Sequence, residues 1–175
     1  MNTVTNIAFT PHSVVGETRA THLCTRFSVD LSALWVFASA MTVKDTRAMI
    51  AGMTPVLKDG TWVYCCEPDP AKAAIFAAHA FAMIREVEGV TLILPASVAA
   101  KHGYDTTLLM RHIALNVFSD LEGIGLTSAV ARALTDVGIS CNVVAAVHHD
   151  HVFVPERDAA QAMAALIAVQ KAAQT

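Results

Sequence analysis

The feature that most constrains the fold is an internal repeat. Shifted by 60 residues, Val90-Thr91-Leu92-Ile93-Leu94-Pro95 falls on Asp150-His151-Val152-Phe153-Val154-Pro155. Ala99-Ala100 falls on Ala159-Ala160, and Glu88-Gly89 falls on His148-His149. Upstream, Glu67-Pro68-Asp69 resembles Phe118-Ser119-Asp120. Self-similarity at a fixed spacing means that one supersecondary unit is used twice. Alternating apolar runs bounded by turn residues read as strands, and runs of helical period read as helices. Each copy then reads strand–helix–strand–strand–helix. Such a unit builds an α+β, ferredoxin-like repeat of βαββα type, with antiparallel sheets and helices on one face.

In the first copy, Thr61–Cys66 is a strand of β-branched and aromatic residues. Pro68-Asp69-Pro70 breaks it, and Pro70 suits the first turn of a short helix over Ala71–Ala78. Phe81–Val87 and Val90–Leu94 form a hairpin through Glu88-Gly89, and Ala96–His102 is a helix stopped by Gly103. In the second copy, Arg111–Phe118 is a strand and Ser119–Gly125 a glycine-containing loop. Leu126–Val137 is an amphipathic helix with Leu126, Val130, Leu134 and Val137 on one face. Ile139–His148 is a long strand, His149-Asp150 a turn, His151–Val154 the returning strand, and Glu156–Ala173 the last helix.

Ahead of the repeats, Asp45–Ala51 reads as a short helix capped by Asp45 or Thr46 and ended by Gly52. Asp59-Gly60 is a dipeptide of the kind that closes a β-hairpin, here between Thr54–Lys58 and Thr61–Cys66. Neither copy has a closing strand of its own. Thr54–Lys58 is the spare strand that completes a sheet, which ties the start of the folded part to its end. The expected division is an unmatched extension over 1–40, a first repeat over 41–107 and a second over 108–175.

The chain has 175 residues, 54% of them apolar and 15% charged, which suits one ordinary domain or two small ones and excludes disorder. A net charge of −3 and only 6% aromatics leave no case for nucleic acid as the main partner. The cysteines, Cys24, Cys65, Cys66 and Cys141, form no C-x-x-C pair and read as free thiols of a cytoplasmic protein. No apolar run reaches the roughly 18 residues of a membrane span. Leu31–Met41 is the nearest, and Ala38-Ser39-Ala40 imitates a signal-peptide cleavage site. Asp30 abuts that run, so an over-extended start with Met41 as initiator is the better expectation.

No nucleophile elbow, phosphate-binding glycine loop or dinucleotide fingerprint occurs, so no catalytic residue and no cofactor is expected. His148-His149-Asp150-His151 is the most conspicuous polar string. On a hairpin, His148 and His151 become cross-strand neighbours beside Asp150, short of the three or four protein ligands that a zinc site uses. His79, His102 and His112 share no spacing with it. The string is expected to be a polar hairpin tip rather than a metal site.

The stretch GIGLTSAVARALTDVGISCNVVAAVHHDHVFVP, residues 123–155, resembles the ACT domain family: a glycine loop, a helix of small and apolar residues, Gly138, then a strand opening Ile139-Ser140-Cys141-Asn142-Val143. MTPVLKDGTWVYC, REVEGVTLIL and NVVAAVHHDHVFVP are similar to a bacterial group of tandem-ACT proteins. The resemblance covers about Asp45 to Leu166 and leaves residues 1–40 unmatched. It implies a ligand, usually an amino acid, held where ACT units meet.

The loop from Ser119 to Gly125 can supply such a site. The first turn of the following helix offers unpaired N–H groups and a positive dipole end to a carboxylate. Gly123 and Gly125 allow close approach, Asp120 and Glu122 can receive an ammonium, and Asn142 offers a donor and an acceptor. The expected ligand-binding residues are Ser119, Asp120, Leu121, Glu122, Gly123, Ile124, Gly125, Leu126, Thr127, Asn142 and Val143. In the plainer reading, Gly125 merely enters the helix, Thr127 caps it, and Asp120 and Glu122 are solvated. The first copy's Glu67-Pro68-Asp69-Pro70 has no glycine, and its prolines remove donors. The expected protein is a cytoplasmic, non-enzymatic regulator that binds an amino-acid-like molecule and forms a homodimer through open sheet edges, without nucleic acid or membrane. The alternatives are an interaction module without ligand and a small histidine- or metal-dependent enzyme.

Overall fold

The computed structural model describes residues 43–175. The expectations for residues 1–40, the Leu31–Met41 run and Cys24 lie outside the described residues. Asp45 caps α1 (Thr46–Gly52) by accepting a 2.8 Å bond from the Ala48 N–H. A short strand β1 (Pro55–Leu57) follows. The first repeat is β2 (Trp62–Glu67), α2 (Pro70–Ala74), β3 (Ala82–Arg85), β4 (Val90–Pro95) and α3 (Ala96–Lys101). The second is β5 (Met110–Leu115), α4 (Leu126–Thr135), β6 (Asn142–Val144), β7 (Asp150–Pro155) and α5 (Ala159–Gln174), the last entered through a 3-10 turn at Glu156–Asp158. The order strand–helix–strand–strand–helix therefore occurs twice. β4 and β7 begin and end 60 residues apart, as the repeat requires.

All strands join one antiparallel sheet in the order β3-β4-β2-β5-β7-β6, with β1 also on β5. Here the Asp59-Gly60 expectation fails. β1 pairs with β5, from Pro55 opposite Leu115 to Leu57 opposite Ile113, and β2 pairs along its whole length with β4. The Lys58 N–H donates to His112 O at 2.8 Å, and Trp62 then faces Met110. β1 and β2 thus run in the same direction beside β5. Gly60, at φ 83°, gives a sidestep in the chain rather than a reversal. The spare strand does complete a sheet, that of the second repeat. α1 goes with it: Arg47 Nε donates to Ala173 O at 3.0 Å and Gln174 Nε2 to Ala51 O at 2.9 Å. Met49 and Met53 are fully buried among Ile113, Leu134, Val152 and Leu166.

Several further elements are shorter than expected: the helix expected over Ala71–Ala78 ends at Ala74, the strand over Phe81–Val87 is Ala82–Arg85 and that over Arg111–Phe118 ends at Leu115, while Asp150 opens β7 instead of sitting in the turn. The strand expected over Ile139–His148 is only β6, with residues 145–149 a loop. Gly138, at φ 75°, turns the chain out of α4, and the Ile139 N–H closes that helix end on Leu134 O at 2.9 Å. Ile139 is buried there, so its backbone is spent on the cap instead of a ladder. α4 stops at Thr135; Leu126, Val130 and Leu134 are buried as its period requires, whereas Val137 is exposed.

Each repeat buries its helices against one face of its own strands. Ile113, Leu115, Val152 and Val154 meet α1, α4 and α5 in one core, and Val63, Leu92 and Leu94 belong to a second with Ala73 of α2 and Ala99 of α3. The helix-free faces meet each other. Phe81, at the start of β3, has its ring centroid 4.8 Å from that of His151 on β7. Three strands lie between β3 and β7, so a flat sheet would separate these rings by about 19 Å. The sheet is therefore curled so that its two halves face one another, with the sparse β2–β5 pairing, one residue pair, at the crease. Trp62, Tyr64, Phe81, His112, His151 and Phe153 fill the space between, with Ile93 and Phe153 fully buried.

Candidate functional site

β5 ends at Leu115 and α4 begins at Leu126, and the long connection between them carries the glycine loop. In the first repeat the equivalent connection is only Pro68-Asp69. The loop is braced by the segment before α1. Val43 makes a parallel bridge with Ser119, donating its N–H to Phe118 O at 2.9 Å and accepting from the Asp120 N–H at 3.2 Å. Asp120 Oδ1 accepts the Glu122 N–H at 2.9 Å, and the Gly123 N–H donates to Asp120 O at 2.8 Å. Thr46 Oγ1 donates to Ile124 O at 2.5 Å.

Under this loop lies a cavity of about 60 Å³ lined by Ser119, Asp120, Leu121, Gly123, Leu126 and Thr127, with Met49, Ala145 and Asp150 completing it. Six of the expected ligand-binding residues thus converge at the start of α4. Glu122, Ile124 and Gly125 belong to the loop without lining the cavity. Val143 packs against the second repeat's core, and Asn142 turns to a different cavity described below.

The two glycines have a steric explanation inside the chain. A Cβ on Gly123 would lie 2.8 Å from both Met49 Sδ and Asp120 O; one on Gly125, at φ +104°, would lie 2.6 Å from Thr46 Cγ2. Close packing against α1 therefore requires both. Gly125→Ala is expected to cost about 2 kcal/mol, from positive φ and overpacking together. Urea unfolding checks this; an unchanged midpoint would show that the α1 contact does not hold the loop. The ammonium facing the acidic pair is Lys44: its Nζ is 2.7 Å from Glu122 Oε2 and 3.6 Å from Asp120 Oδ2.

Asp150 and Met49 were missing from the sequence expectation. Asp150 is only 6% exposed, and burial pushes its carboxyl pKa up. A signal for it existed in the repeat: Asp150 occupies the position of Val90, which is equally buried in the first copy. A carboxyl where the other copy keeps a valine marks a position released from the apolar core. Ser119 is the other buried polar side chain at this cavity.

The histidine string is rearranged. Val144, not His148, stands opposite His151, and His148 lies in the 145–149 loop. His149 Nδ1 approaches Val117 O at 3.3 Å. The true partner of His151 is His112, with Nε2 2.9 Å from Nδ1 across the β5–β7 ladder. Among the described residues, no group of three or more His, Cys, Asp or Glu side chains could hold a metal ion. No helix of the described residues is long and apolar enough to cross a membrane. Cys65, Cys66 and Cys141 are free thiols, with Cys65 turned to the core and Cys66 exposed.

Two family models, both described as the ACT domain, match residues 42–111 and 111–168. A crystal structure of a Vibrio cholerae protein of unknown function, titled a possible transport protein, is 36% identical; the match covers 71% of this chain and 94% of that one, with a TM-score of 0.64. An Agrobacterium tumefaciens protein is 15% identical over 67% of this chain and 89% of that one, with a TM-score of 0.51. The ligand-free regulatory subunit of aspartate kinase from Thermus thermophilus is 12% identical over 67% of this chain and 97% of that one, with a TM-score of 0.52. A search of curated proteins found no match.

Proposed function

The chain belongs to the ACT domain family, and from that premise we propose that it is a non-enzymatic, cytoplasmic regulatory protein whose second repeat binds a small amino-acid-like molecule and which works as a homodimer. ACT domains are regulatory modules that typically bind small molecules, and the similar aspartate kinase chain is a regulatory subunit. The observation that carries the reading is the cavity at the head of α4. It combines helix N–H groups and the Thr127 hydroxyl with the buried Ser119 and Asp150. The first set suits a carboxylate and the second an ammonium. A volume of about 60 Å³ suits a head group rather than a whole amino acid. The ligand's side chain therefore projects outward past Leu121, which is 70% exposed. Dimerisation is supported by the sheet edges β3 and β6, which pair with no further strand among the described residues, and Met83 and Ile84 are exposed on β3.

A thermal-shift screen of the full chain against the common amino acids tests the reading. A ligand at 100 times its Kd adds about 2.7 kcal/mol, which raises Tm by about 5–10 °C at this size. Thr127→Val, at an exposed position, is expected to weaken that shift without lowering the ligand-free Tm. A flat screen on folded protein would favour the module that only pairs with other proteins.

A further inference from the structure

A second and larger cavity, about 300 Å³, is lined by Val63, Tyr64, Asp105, Leu108, Met110 and Asn142. It shares no residue with the cavity at α4. Its walls come from both repeats and from the connection between α3 and β5. Met110 is buried and gives it an apolar wall, the Val63 side chain belongs to the first repeat's helix-side core, and Leu108, 60% exposed, stands at the rim. Three polar side chains reach it. Asp105 is held in place by Thr107, whose N–H donates to Oδ1 at 2.8 Å and whose Oγ1 donates to Oδ2 at 3.0 Å. These bonds lower the Asp105 pKa, so the group is ionised at neutral pH. None of the ion pairs among the described residues involves Asp105. The Tyr64 phenol, pushed up to about 12 by burial, remains a neutral donor beside the Phe153 ring. The Asn142 amide forms no side-chain hydrogen bond among those of the described residues and is exposed at the start of β6.

An apolar wall with one fixed anion and two neutral hydrogen-bonding groups is the complement of a cation carrying an apolar body. The geometry points to a second small-molecule site between the repeats, for a primary alkyl- or arylammonium compound, with Asp105 as counter-ion, Asn142 and Tyr64 as polar contacts, and Met110 and Leu108 against the apolar body. The space is about five times that of the cavity at α4, enough for a whole small amine rather than a head group. The inference stands apart from the amino-acid site at α4, since the two cavities have separate linings.

The test is a titration of the isotope-labelled full chain with n-hexylammonium, hexan-1-ol and hexanoate, read at the Met110 methyl and the Asn142 amide. Asp105 is exposed, so hexylammonium is expected to bind about two- to fivefold more tightly than hexanol, the effect of a solvent-exposed ion pair. Hexanoate is expected not to bind. Asp105→Asn keeps one acceptor, for the Thr107 N–H, and its amide can donate to the Thr107 hydroxyl; it should bring the ammonium down to the affinity of the alcohol and leave Tm nearly unchanged. Leu108→Ala, at the exposed rim, should weaken both. Equal binding of amine and alcohol, no response at Met110 and Asn142, or an amine response confined to Ser119–Thr127 would overturn the assignment. The amino-acid response at Ser119–Thr127 is read separately in the same spectra, so failure of one site is distinguishable from failure of the other.

Discussion

Phe153→Ala is expected to lower the unfolding free energy by about 4 kcal/mol and Tm by about 12 °C, the largest effect of any single truncation in the sheet interior. Phe153 is fully buried and touches rings from both repeats. His112 stacks on it with centroids 5.0 Å apart, and the rings of Trp62, Tyr64 and Phe81 meet it edge-on at 6.2, 5.7 and 5.2 Å. The two halves of the sheet share only the Trp62–Met110 pair between β2 and β5. Side-chain packing, not backbone pairing, must therefore hold the repeats face to face. Truncation at this point removes apolar area and leaves a cavity at the one place where both repeats converge. Urea denaturation followed by far-UV circular dichroism measures the loss. A loss below about 1 kcal/mol would mean that the helix-free faces do not form a shared core.

The second large effect is on pH dependence. Burial, then His151, then Lys58 hold the His112 imidazole down to about 4, and burial first of all also lowers His151. His149 adds repulsion at His151, whereas Asp150 opposes it. The fold therefore favours the neutral ring, and the unfolded chain takes up its proton first, near pH 6.5. The stabilisation is full above about pH 6.5 and is lost as pH falls towards 4, below which His112 contributes no further loss. The shift from 6.5 to about 4 corresponds to about 3 kcal/mol, of which about 2 is lost by pH 5. Asp150, with its pKa raised by burial, acts in the opposite sense in acid and blunts the fall. His112→Phe keeps the ring in the aromatic layer and removes the titration. Its urea midpoint should vary less between pH 7.5 and 5 than that of the parent chain. Equal slopes for the two proteins would assign the acid sensitivity elsewhere.

Most of the architecture is legible in the repeat. β4 and β7 fall where the 60-residue shift puts them, because the same inward Leu92, Leu94, Val152 and Val154 pattern builds both. What stayed hidden depends on long-range pairing. Asp59-Gly60 carries a local hairpin signal, but β1 pairs with β5 instead, and local turn chemistry yields to that ladder. His112 and His151 lie 39 residues apart and meet only through the β5–β7 register. The curl of the sheet leaves no local trace either, since Trp62, Phe81 and Phe153 would serve equally well on a flat sheet packed against another chain.

The loop site was half legible. Ser119 to Thr127 do converge at the head of α4, as a glycine loop leading into a helix suggests. The glycines, however, satisfy the approach of Thr46 and Met49, and no sequence spacing announces a contact made by α1. The sequence groups Asn142 with the loop because it opens the facing strand; the short β6 instead sets it beside Tyr64 and Asp105.

The central claim is that the head of α4 receives an amino-acid-like molecule. The most direct measurement is an amide-shift titration of the isotope-labelled full chain with each common amino acid, up to about 10 mM, well above the affinities expected of a specific metabolite site. The prediction is that at least one of them moves the Ser119–Thr127 amides saturably, and that Thr127→Val weakens the response. No saturable change in those amides with any amino acid, on a chain shown to be folded, would contradict it.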